Sequence, residues 1–339
     1  MAKLFTPLRI RDLEIRNRVF MAPMCQYSAI EGVPNSWHQV HLASRAVGGV
    51  GLVIVEATGV SPEGRISDHC LGLYNQQQEE AFKPIVEIVK RNGAKIAVQL
   101  AHSGRKGVGS FDVVAPSSIP FDSSYKMPKT LSKKEIEEVV ESYFKAAKRA
   151  LNAGFDVVEI HMAHGYLLHQ FLSPYSNKRT DDFGSSLINR MRLPLMVAKV
   201  IRDFWPQNLP VFVRLSATDW IGKEGWDLEE VVLFVKELKN IGVDFIDVSS
   251  GGNVADVKIP IGPNYQVFFA EEIRKKAEIL TGAVGLITES IQAEKILVEG
   301  KADAILLGRV LLRDPYWAIN AAQQLGNEKI FPKQYERAY

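Results

Sequence analysis

The sequence predicts an α/β fold, a single (β/α)8 barrel, from two observations. Eight short apolar runs, each bounded by glycine, proline or a charged residue, recur along the 339 residues. They are rich in β-branched residues and nearly continuous, as is typical of parallel strands buried on both faces. Helical patterns lie between them, and no linker-like change of composition divides the chain, so we expect one barrel domain over residues 1–339.

The strands are expected in an order that alternates with helices. The predicted strands are 18–24, 51–58, 95–102, 156–164, 210–217, 244–251, 283–288 and 302–309. A weak repeat supports this order, since segments starting at Gly154, Gly242 and Gly300 each pass from a helix-ending glycine through an acidic residue into a strand. An open doubly wound sheet is the alternative, and it is disfavoured because no Gly-x-Gly-x-x-Gly motif follows the first strand.

Two helices have the clearest boundaries. Ser132 and Glu135 form a capping box at the start of one, and Gly154 ends it. The other begins at Asp227 and ends at Gly242. Apolar residues recur in both at the three- and four-residue spacing of a single helix face, which predicts that this face packs against the barrel.

Two segments do not fit the alternation of strands and helices. Residues 103–131 form a long connection after the third strand, with three prolines and several serines. A connection of this length in a compact domain is typically functional, so we interpret it as a lid. Residues 326–339 form a C-terminal tail beyond the last helix, and a loose tail is the simplest interpretation of it.

Composition excludes several classes of function. The net charge is +2, from 41 basic and 39 acidic side chains, which gives no electrostatic basis for binding nucleic acid or an anionic membrane. No apolar run approaches the roughly 18 residues of a membrane span. The first residues lack a signal peptide, so a cytoplasmic protein is expected. Two cysteines, Cys25 and Cys70, are too few for a disulfide scaffold or an all-cysteine iron–sulfur cluster.

Polar residues gather where the predicted strands end, which is the edge at which barrel enzymes bind their ligands. Burying such polar residues elsewhere in the barrel, without hydrogen-bond partners, would cost free energy. In strand order they are Cys25 and Tyr27, Glu56 and Thr58, Gln99 and His102, His161 and His164, Arg214, Ser249 and Ser250, Gly285, and finally Gly308 and Arg309.

The last two strands predict a phosphate site. Gly285 and Gly308 permit close approach of the backbone, and Arg309 supplies a guanidinium for the anion. Gln99 can donate and accept together, as one edge of a flavin's pyrimidine ring requires, and Arg214 can stabilise negative charge at the flavin N1. These residues favour a large, phosphorylated ligand with a polar edge.

The segment EIHMAHGYLLHQ raises three interpretations of its histidines. A metal site would need about three ligands, and no second histidine cluster exists in the sequence. A structural role at a strand end is the second interpretation. The third is that His161 and His164 donate hydrogen bonds to a substrate oxygen while Tyr166 supplies a proton; His169 is left out of this site.

Motifs along almost the whole chain resemble the old yellow enzyme family of flavin-dependent ene-reductases. They include NRVFMAPMCQYS, QLAHSGRK, EIHMAHGYLLHQFLSPYSNKRTDDFGSSLINR, VRLSATDW and LLGRVLLRDPYWA. Cys25, together with the His161 and His164 pair, is most similar to the bacterial, thermophilic-like branch.

The resemblance implies a barrel that binds FMN non-covalently and takes hydride from NADPH or NADH. Hydride would pass from the flavin N5 to the β-carbon of an α,β-unsaturated carbonyl or nitro compound, with Tyr166 as proton donor and His161 and His164 holding the substrate oxygen. Tyr27 would line the pocket, and Arg337 would enter it from a neighbouring subunit of a homodimer or homotetramer. The implied FMN contacts are Pro23, Met24, Cys25, Ala57, Gln99, Arg214, Gly285, Gly308 and Arg309.

Some residues depart from the family pattern, and three rival functions remain open. Ser185 stands where a second glycine is usual, Ile188 where glutamate is common, and Gln26 where a hydrophobic residue is frequent. The rivals are a metal-dependent hydrolase, a phosphate-binding aldolase or isomerase using Lys106 or Glu56, and a non-enzymatic binding barrel. The sequence names neither the natural alkene nor the preferred nicotinamide.

Overall fold

The computed structural model describes residues 1–327 and 330–338, and it confirms the predicted (β/α)8 barrel. Eight parallel strands pair in chain order, and the eighth closes the barrel on the first. We number them β1 (Val19–Met21), β2 (Leu52–Gly59), β3 (Lys95–Ala101), β4 (Val157–Met162), β5 (Val211–Ser216), β6 (Phe245–Ser249), β7 (Leu280–Ala283) and β8 (Ala304–Leu307).

The seventh strand differs from its prediction. It occupies Leu280–Ala283, whereas the apolar run suggested residues 283–288. Gly285 and Leu286 have φ angles of +127° and +49°, which no β-strand residue adopts, so this part of the run turns away from the barrel. Residues 283–288 are apolar because the turn that they form is partly buried. The other seven strands overlap the predicted stretches.

Ten helices accompany the strands in the described residues. They are α1 (Ser36–Val47), α2 (Gln76–Arg91), α3 (Lys133–Asn152), α4 (Leu167–Leu172), α5 (Leu187–Phe204), α6 (Leu228–Ile241), α7 (Val267–Ala277), α8 (Ser290–Val298), α9 (Arg309–Arg313) and α10 (Trp317–Gln324). The capping box before α3 is confirmed, since the Ser132 N–H donates to the Glu135 carboxylate over 2.8 Å. Gly242 ends α6 with a left-handed φ of +102°.

A β-hairpin that the sequence analysis missed closes the N-terminal end of the barrel. Its strands, Leu8–Ile10 and Leu13–Ile15, pair antiparallel. Their buried side chains form one apolar cluster with residues at the starts of barrel strands, such as Leu52, Val157 and Phe245. The signal was present as apolar residues at every second position, which is typical of a strand with one buried face. With this end filled, the opposite end is left for a ligand.

The connection 103–131 is folded and fastened at its start. Two-residue strands, Val114–Ala115 and Lys129–Thr130, pair within it. Arg105 is buried and donates to the Asn253 carbonyl oxygen over 2.6 Å, which ties the connection to the loop after β6. Its role as a lid stays a prediction.

The tail forms a short 3-10 helix, Lys333–Ala338, within the described residues. The hydroxyl oxygens of Tyr335 and Tyr316 are 3.2 Å apart, so this part of the tail contacts the barrel body. None of the helices in the described ranges is both long and apolar enough to cross a membrane.

Candidate active site

His161 lies near the end of β4 as a neutral hydrogen-bond donor. Its Nδ1 accepts the backbone N–H of Ala163 over 3.2 Å, so the ring proton belongs on Nε2. Burial, reinforced by the charge of Arg214, lowers the pKa of His161 well below its usual range. Among the described residues, Nε2 has no hydrogen-bond partner. The strand end therefore presents one uncharged N–H with no protein acceptor.

His164 is held in place from three sides. Its φ is +59°, and this left-handed backbone is fixed by an N–H donated to Ser216 Oγ over 2.9 Å and a carbonyl that accepts from Lys106 over 3.0 Å. Its Nε2 lies 2.7 Å from Ser249 Oγ. Burial lowers the pKa of this ring too, followed by the effect of Arg214. The His161 and His164 rings meet edge to face, with centroids 5.1 Å apart.

Tyr166 completes this group. Its ring centroid lies 5.0 Å from that of His161. Burial raises the pKa of Tyr166 above its ordinary value of 10, so the phenol keeps its proton at neutral pH. The structure therefore brings together the three residues that the sequence analysis selected: two neutral imidazoles and one protonated phenol.

Lys106 also belongs to this site, although the sequence analysis considered it only for an aldolase. Its Nζ lies 5.4 Å from the Tyr166 ring centroid. It donates to the carbonyl oxygens of His164 and Gly252 over 3.0 and 2.8 Å. Burial lowers its pKa to about 8. Lys106 thus joins the connection after β3 to the loops after β4 and β6.

His169 supports the site from behind. It accepts the Gly165 N–H at Nδ1 over 2.9 Å, and its Nε2 lies 3.2 Å from Asp219. Gly165 has a φ of +73°, and a Cβ there would collide with the carbonyl oxygen of Gly252. His169, held by Asp219, thus fixes the turn between His164 and Tyr166 without entering the pocket.

Gln99 and Arg214, the residues predicted to bind the polar edge of the flavin, each contact a buried acidic residue that the sequence analysis missed. Gln99 donates to Glu159 over 2.8 Å, and Arg214 Nε lies 2.9 Å from Asp247. Burial, and then the Asp247 charge, raises the pKa of Glu159 to about 8. Burial also raises the pKa of Asp247, to about 6. An acidic residue inside an otherwise apolar strand was the available signal.

Glu159 should make stability depend on pH. Its pKa rises from 4.5 to about 8 on folding. Its contribution to the free energy of unfolding is therefore full below pH 4.5 and is lost as the pH rises through about 8. We expect Glu159→Gln, which keeps an acceptor for Gln99, to flatten the fall in unfolding free energy across this interval. Urea unfolding with FMN in fixed excess measures it. Glu137→Gln, on the exposed side of α3, is the control, and an unchanged slope in Glu159→Gln would contradict the assignment.

Residues from the ends of β5, β7 and β8 line one cavity of about 310 Å³. Gly285, Gly308 and Arg309, which the sequence analysis predicted at a phosphate site, line it together with Arg214, which was predicted at the flavin N1. The φ of Gly285 is +127°, a conformation that a side chain would strain. Arg313, one helical turn after Arg309, was missed although the spacing is visible in the sequence. Three guanidinium groups and two glycines on one cavity fit the phosphate and polar edge of FMN.

The loop after β1 lies beside this cavity. A Cβ on Gly308 would lie 3.7 Å from Met24 Sδ, so the loop adjoins the end of β8. The Cys25 side chain packs against a small apolar cluster that includes Ala57 and Cys70. The loop's predicted contacts with FMN stay predictions, as does the place of Tyr27, whose side chain is 56% exposed.

Gln26, the departure without an explanation at the sequence level, holds this loop together. Its backbone N–H donates to Glu56 over 2.7 Å, and its side chain donates to the Met24 carbonyl oxygen over 2.8 Å. Trp37 Nε1 donates to its Oε1 over 3.2 Å. A hydrophobic residue could not replace these last two hydrogen bonds.

The other departures lie on the surface. Ser185 adopts a left-handed φ of +65°, which explains why glycine suits this position, and its hydroxyl donates to the Arg179 carbonyl oxygen over 3.0 Å. Ile188 is 71% exposed. Arg337 is exposed in the tail helix and makes no ion pair with the described residues of its own chain, so its role in a neighbouring subunit stays a prediction.

The metal interpretation lacks a ligand set in the described part of the chain, where no three His, Cys, Asp or Glu side chains converge. His161 and His164 instead make the contacts given above.

Known proteins resemble this chain over nearly its full length. The sequence profile of the NADH:flavin oxidoreductase / NADH oxidase family matches residues 3–328. An NADPH dehydrogenase of Bacillus velezensis is 49% identical, covering 99% of both chains, and one of Geobacillus thermodenitrificans is 48% identical, covering 99% of this chain and 98% of its own. Morphinone reductase superposes with a TM-score of 0.82 at 30% identity over 97% of this chain and 91% of its own. An old yellow enzyme homologue from Zymomonas mobilis gives 0.83 at 30% identity over 99% and 98%.

Proposed function

Because the chain belongs to the NADH:flavin oxidoreductase / NADH oxidase family and is an FMN-dependent NADPH oxidoreductase of old yellow enzyme type, we propose that it reduces activated alkenes. The substrates are α,β-unsaturated carbonyl and nitro compounds. The observation that carries this proposal is the group formed by His161, His164 and Tyr166 at the open end of the barrel.

The three side chains divide the work on the substrate. Two neutral imidazoles can polarise a carbonyl or nitro oxygen by hydrogen bonding, and His161 Nε2–H has no acceptor within residues 1–327 and 330–338 that would compete with the substrate. His164 can take part once its Nε2 leaves Ser249, or through Nδ1. Tyr166 holds a proton in a buried position beside them and delivers it to the α-carbon.

FMN, when bound, supplies the hydride. Arg309 and Arg313, with the glycines Gly285 and Gly308, would hold its phosphate, while Gln99 and Arg214 would hold its pyrimidine edge. Pro23, Met24, Cys25 and Ala57 would contact the ring system from the loop after β1 and from β2. Tyr27 lines the substrate side, and Arg337 reaches it from a neighbouring subunit of a homodimer or homotetramer.

The visible spectrum of the purified protein tests the proposal. We expect a yellow protein whose absorbance bleaches with NADPH in the absence of oxygen and recovers when cyclohexenone is added. A protein that bleaches with NADPH and recovers only with oxygen, neither with cyclohexenone nor with a nitroalkene, would contradict the proposed substrate class while leaving the family assignment intact.

The phosphate assignment has its own prediction. Loss of a charge-assisted hydrogen bond costs about 1.5–3 kcal/mol, which corresponds to about 10- to 100-fold in Kd. We expect Arg309→Ala and Arg313→Ala each to weaken FMN binding by this amount, measured by fluorescence titration of the FMN-free protein.

Arg9→Ala is the matched control for these variants, because Arg9 is an exposed residue of the hairpin at the opposite end of the barrel and pairs with exposed Asp12. Equal affinity in all three variants would show that the phosphate lies elsewhere.

A further inference from the structure

The two cysteines of the chain meet beside the candidate active site. Cys25 lies in the loop after β1 and Cys70 in the loop after β2. Backbone hydrogen bonds of 2.9 Å join these loops twice, from Ala29 N–H to the His69 carbonyl and from Gly72 N–H to the Gly32 carbonyl. The backbone therefore fixes the loop after β2 on both sides of Cys70 against the loop that carries Cys25.

The thiols themselves are in contact. Cys25 packs against the apolar cluster that contains Cys70, and neither cysteine is in a disulfide. Both belong to a small apolar cluster with Ala57, Ile66 and Ala101, against which Tyr166 packs. Cys25 is half-buried, whereas Cys70 is fully buried, with its Sγ 3.3 Å from Ser67 Oγ.

We propose that Cys25 and Cys70 are a redox-sensitive pair that hydrogen peroxide converts into an intramolecular disulfide. This modification is separate from the proposed alkene reduction. Two thiols held in contact, one of them partly exposed, are the arrangement in which a first oxidised sulfur is captured by the second before further oxidation.

The electrostatics of the pair favour this reaction. The interaction with Cys70 raises the pKa of the Cys25 thiol, and the interaction with Cys25 lowers the pKa of the Cys70 thiol to about 7, so near neutral pH Cys70 is the sulfur that is partly thiolate. Thiolate is the reactive form of cysteine, and the Cys70 thiolate can take the proton of Cys25 when Cys25 reacts. Of the two residues, Cys25 is partly exposed, whereas Cys70 is fully buried.

The reaction proceeds in two balanced steps. Cys25 passes its proton to the Cys70 thiolate and its Sγ attacks one peroxide oxygen, the O–O bond breaks, and Cys25 becomes a sulfenic acid as hydroxide leaves and takes the proton from Cys70 to form water. The Cys70 thiolate then attacks Cys25 Sγ, the S–O bond breaks, and hydroxide departs. The two sulfurs lose two electrons in total, and the peroxide gains them.

The disulfide should change the active site as well. Closing the bond brings the two sulfurs to about 2.05 Å, which draws the loop after β1 toward the loop after β2. That loop carries Gln26 and Tyr27, and Tyr166 packs on the same cluster. We therefore expect alkene reduction to fall when the disulfide forms and to return on reduction with dithiothreitol.

Peroxide treatment of the FMN-loaded protein, followed by alkylation and mass spectrometry, tests the proposal. We expect loss of two hydrogen masses from the intact chain, a cross-linked peptide pair containing Cys25 and Cys70, and no alkylation until dithiothreitol is added. Oxygen addition to either cysteine without a cross-link would overturn the proposal, as would two free thiols at peroxide levels that already oxidise methionine.

Cys25→Ser and Cys70→Ser provide the controls, and their flavin spectra report whether they fold. Neither variant should lose two hydrogen masses. Cys70→Ser should accumulate oxygen on Cys25, whereas Cys25→Ser should leave the buried Cys70 thiol unoxidised. Cys70→Ser should also lose the part of the peroxide inhibition that dithiothreitol reverses. If that reversible inhibition persisted in Cys70→Ser, the pair would not be its cause.

Discussion

Tyr166→Phe is expected to slow alkene reduction by about 10²–10⁴-fold, the usual contribution of a positioned general acid. The ring keeps its packing against His161 and the cysteine cluster, so only the proton is removed. Reaction with NADPH needs no proton from this phenol and should be nearly unchanged. Stopped-flow absorbance of the two half-reactions, measured separately, checks the prediction.

Tyr27→Phe is the matched control for this variant. It also removes a phenol hydroxyl from the predicted pocket, but Tyr27 is more than half exposed and lies outside the histidine group. We expect it to have a much smaller effect on alkene reduction. If Tyr166→Phe slowed both half-reactions equally, the proton-donor role would be wrong and a positional role would take its place.

His161→Ala is expected to reduce the rate of alkene reduction by about 10²–10³-fold, the typical cost of removing one preorganised donor. The reason is the uncharged Nε2–H of His161: Nδ1 accepts the Ala163 N–H, so the ring proton lies on Nε2, where the described part of the chain offers no acceptor. Because the ring is neutral, the loss should not depend on pH near neutrality. The same stopped-flow comparison measures it, and the flavin spectrum shows whether the variant folds.

His164→Asn provides the comparison for the second histidine. An amide retains an N–H donor, so we expect this variant to keep most of its alkene activity. A larger loss in His164→Asn than in His161→Ala would reverse the assignment, and would make His164 the principal donor despite its contact with Ser249.

Local patterns predicted most of the fold. Strands buried on both faces must be continuously apolar, and helices packed on a barrel must be apolar on one face, so seven strands and the capping box of α3 were found where expected. The run at 283–288 failed because burial, which the pattern reports, does not distinguish a strand from a buried turn with left-handed residues. The hairpin at Leu8–Ile15 was missed because its strands have only three residues each.

The sequence by itself also selected His161, His164 and Tyr166, because residues at the ends of parallel strands converge whatever their separation along the chain, but Lys106 and Arg313 were found only in the structure. Only the tertiary structure decided the hydrogen-bond partners and the pKa shifts of the site residues. That Gln99 donates to Glu159, that Arg214 faces Asp247, and that Cys25 packs beside the cluster containing Cys70 depend on distances between residues far apart in the sequence. Charge and hydrogen bonding change steeply over a few ångströms, and a one-dimensional pattern does not carry that information.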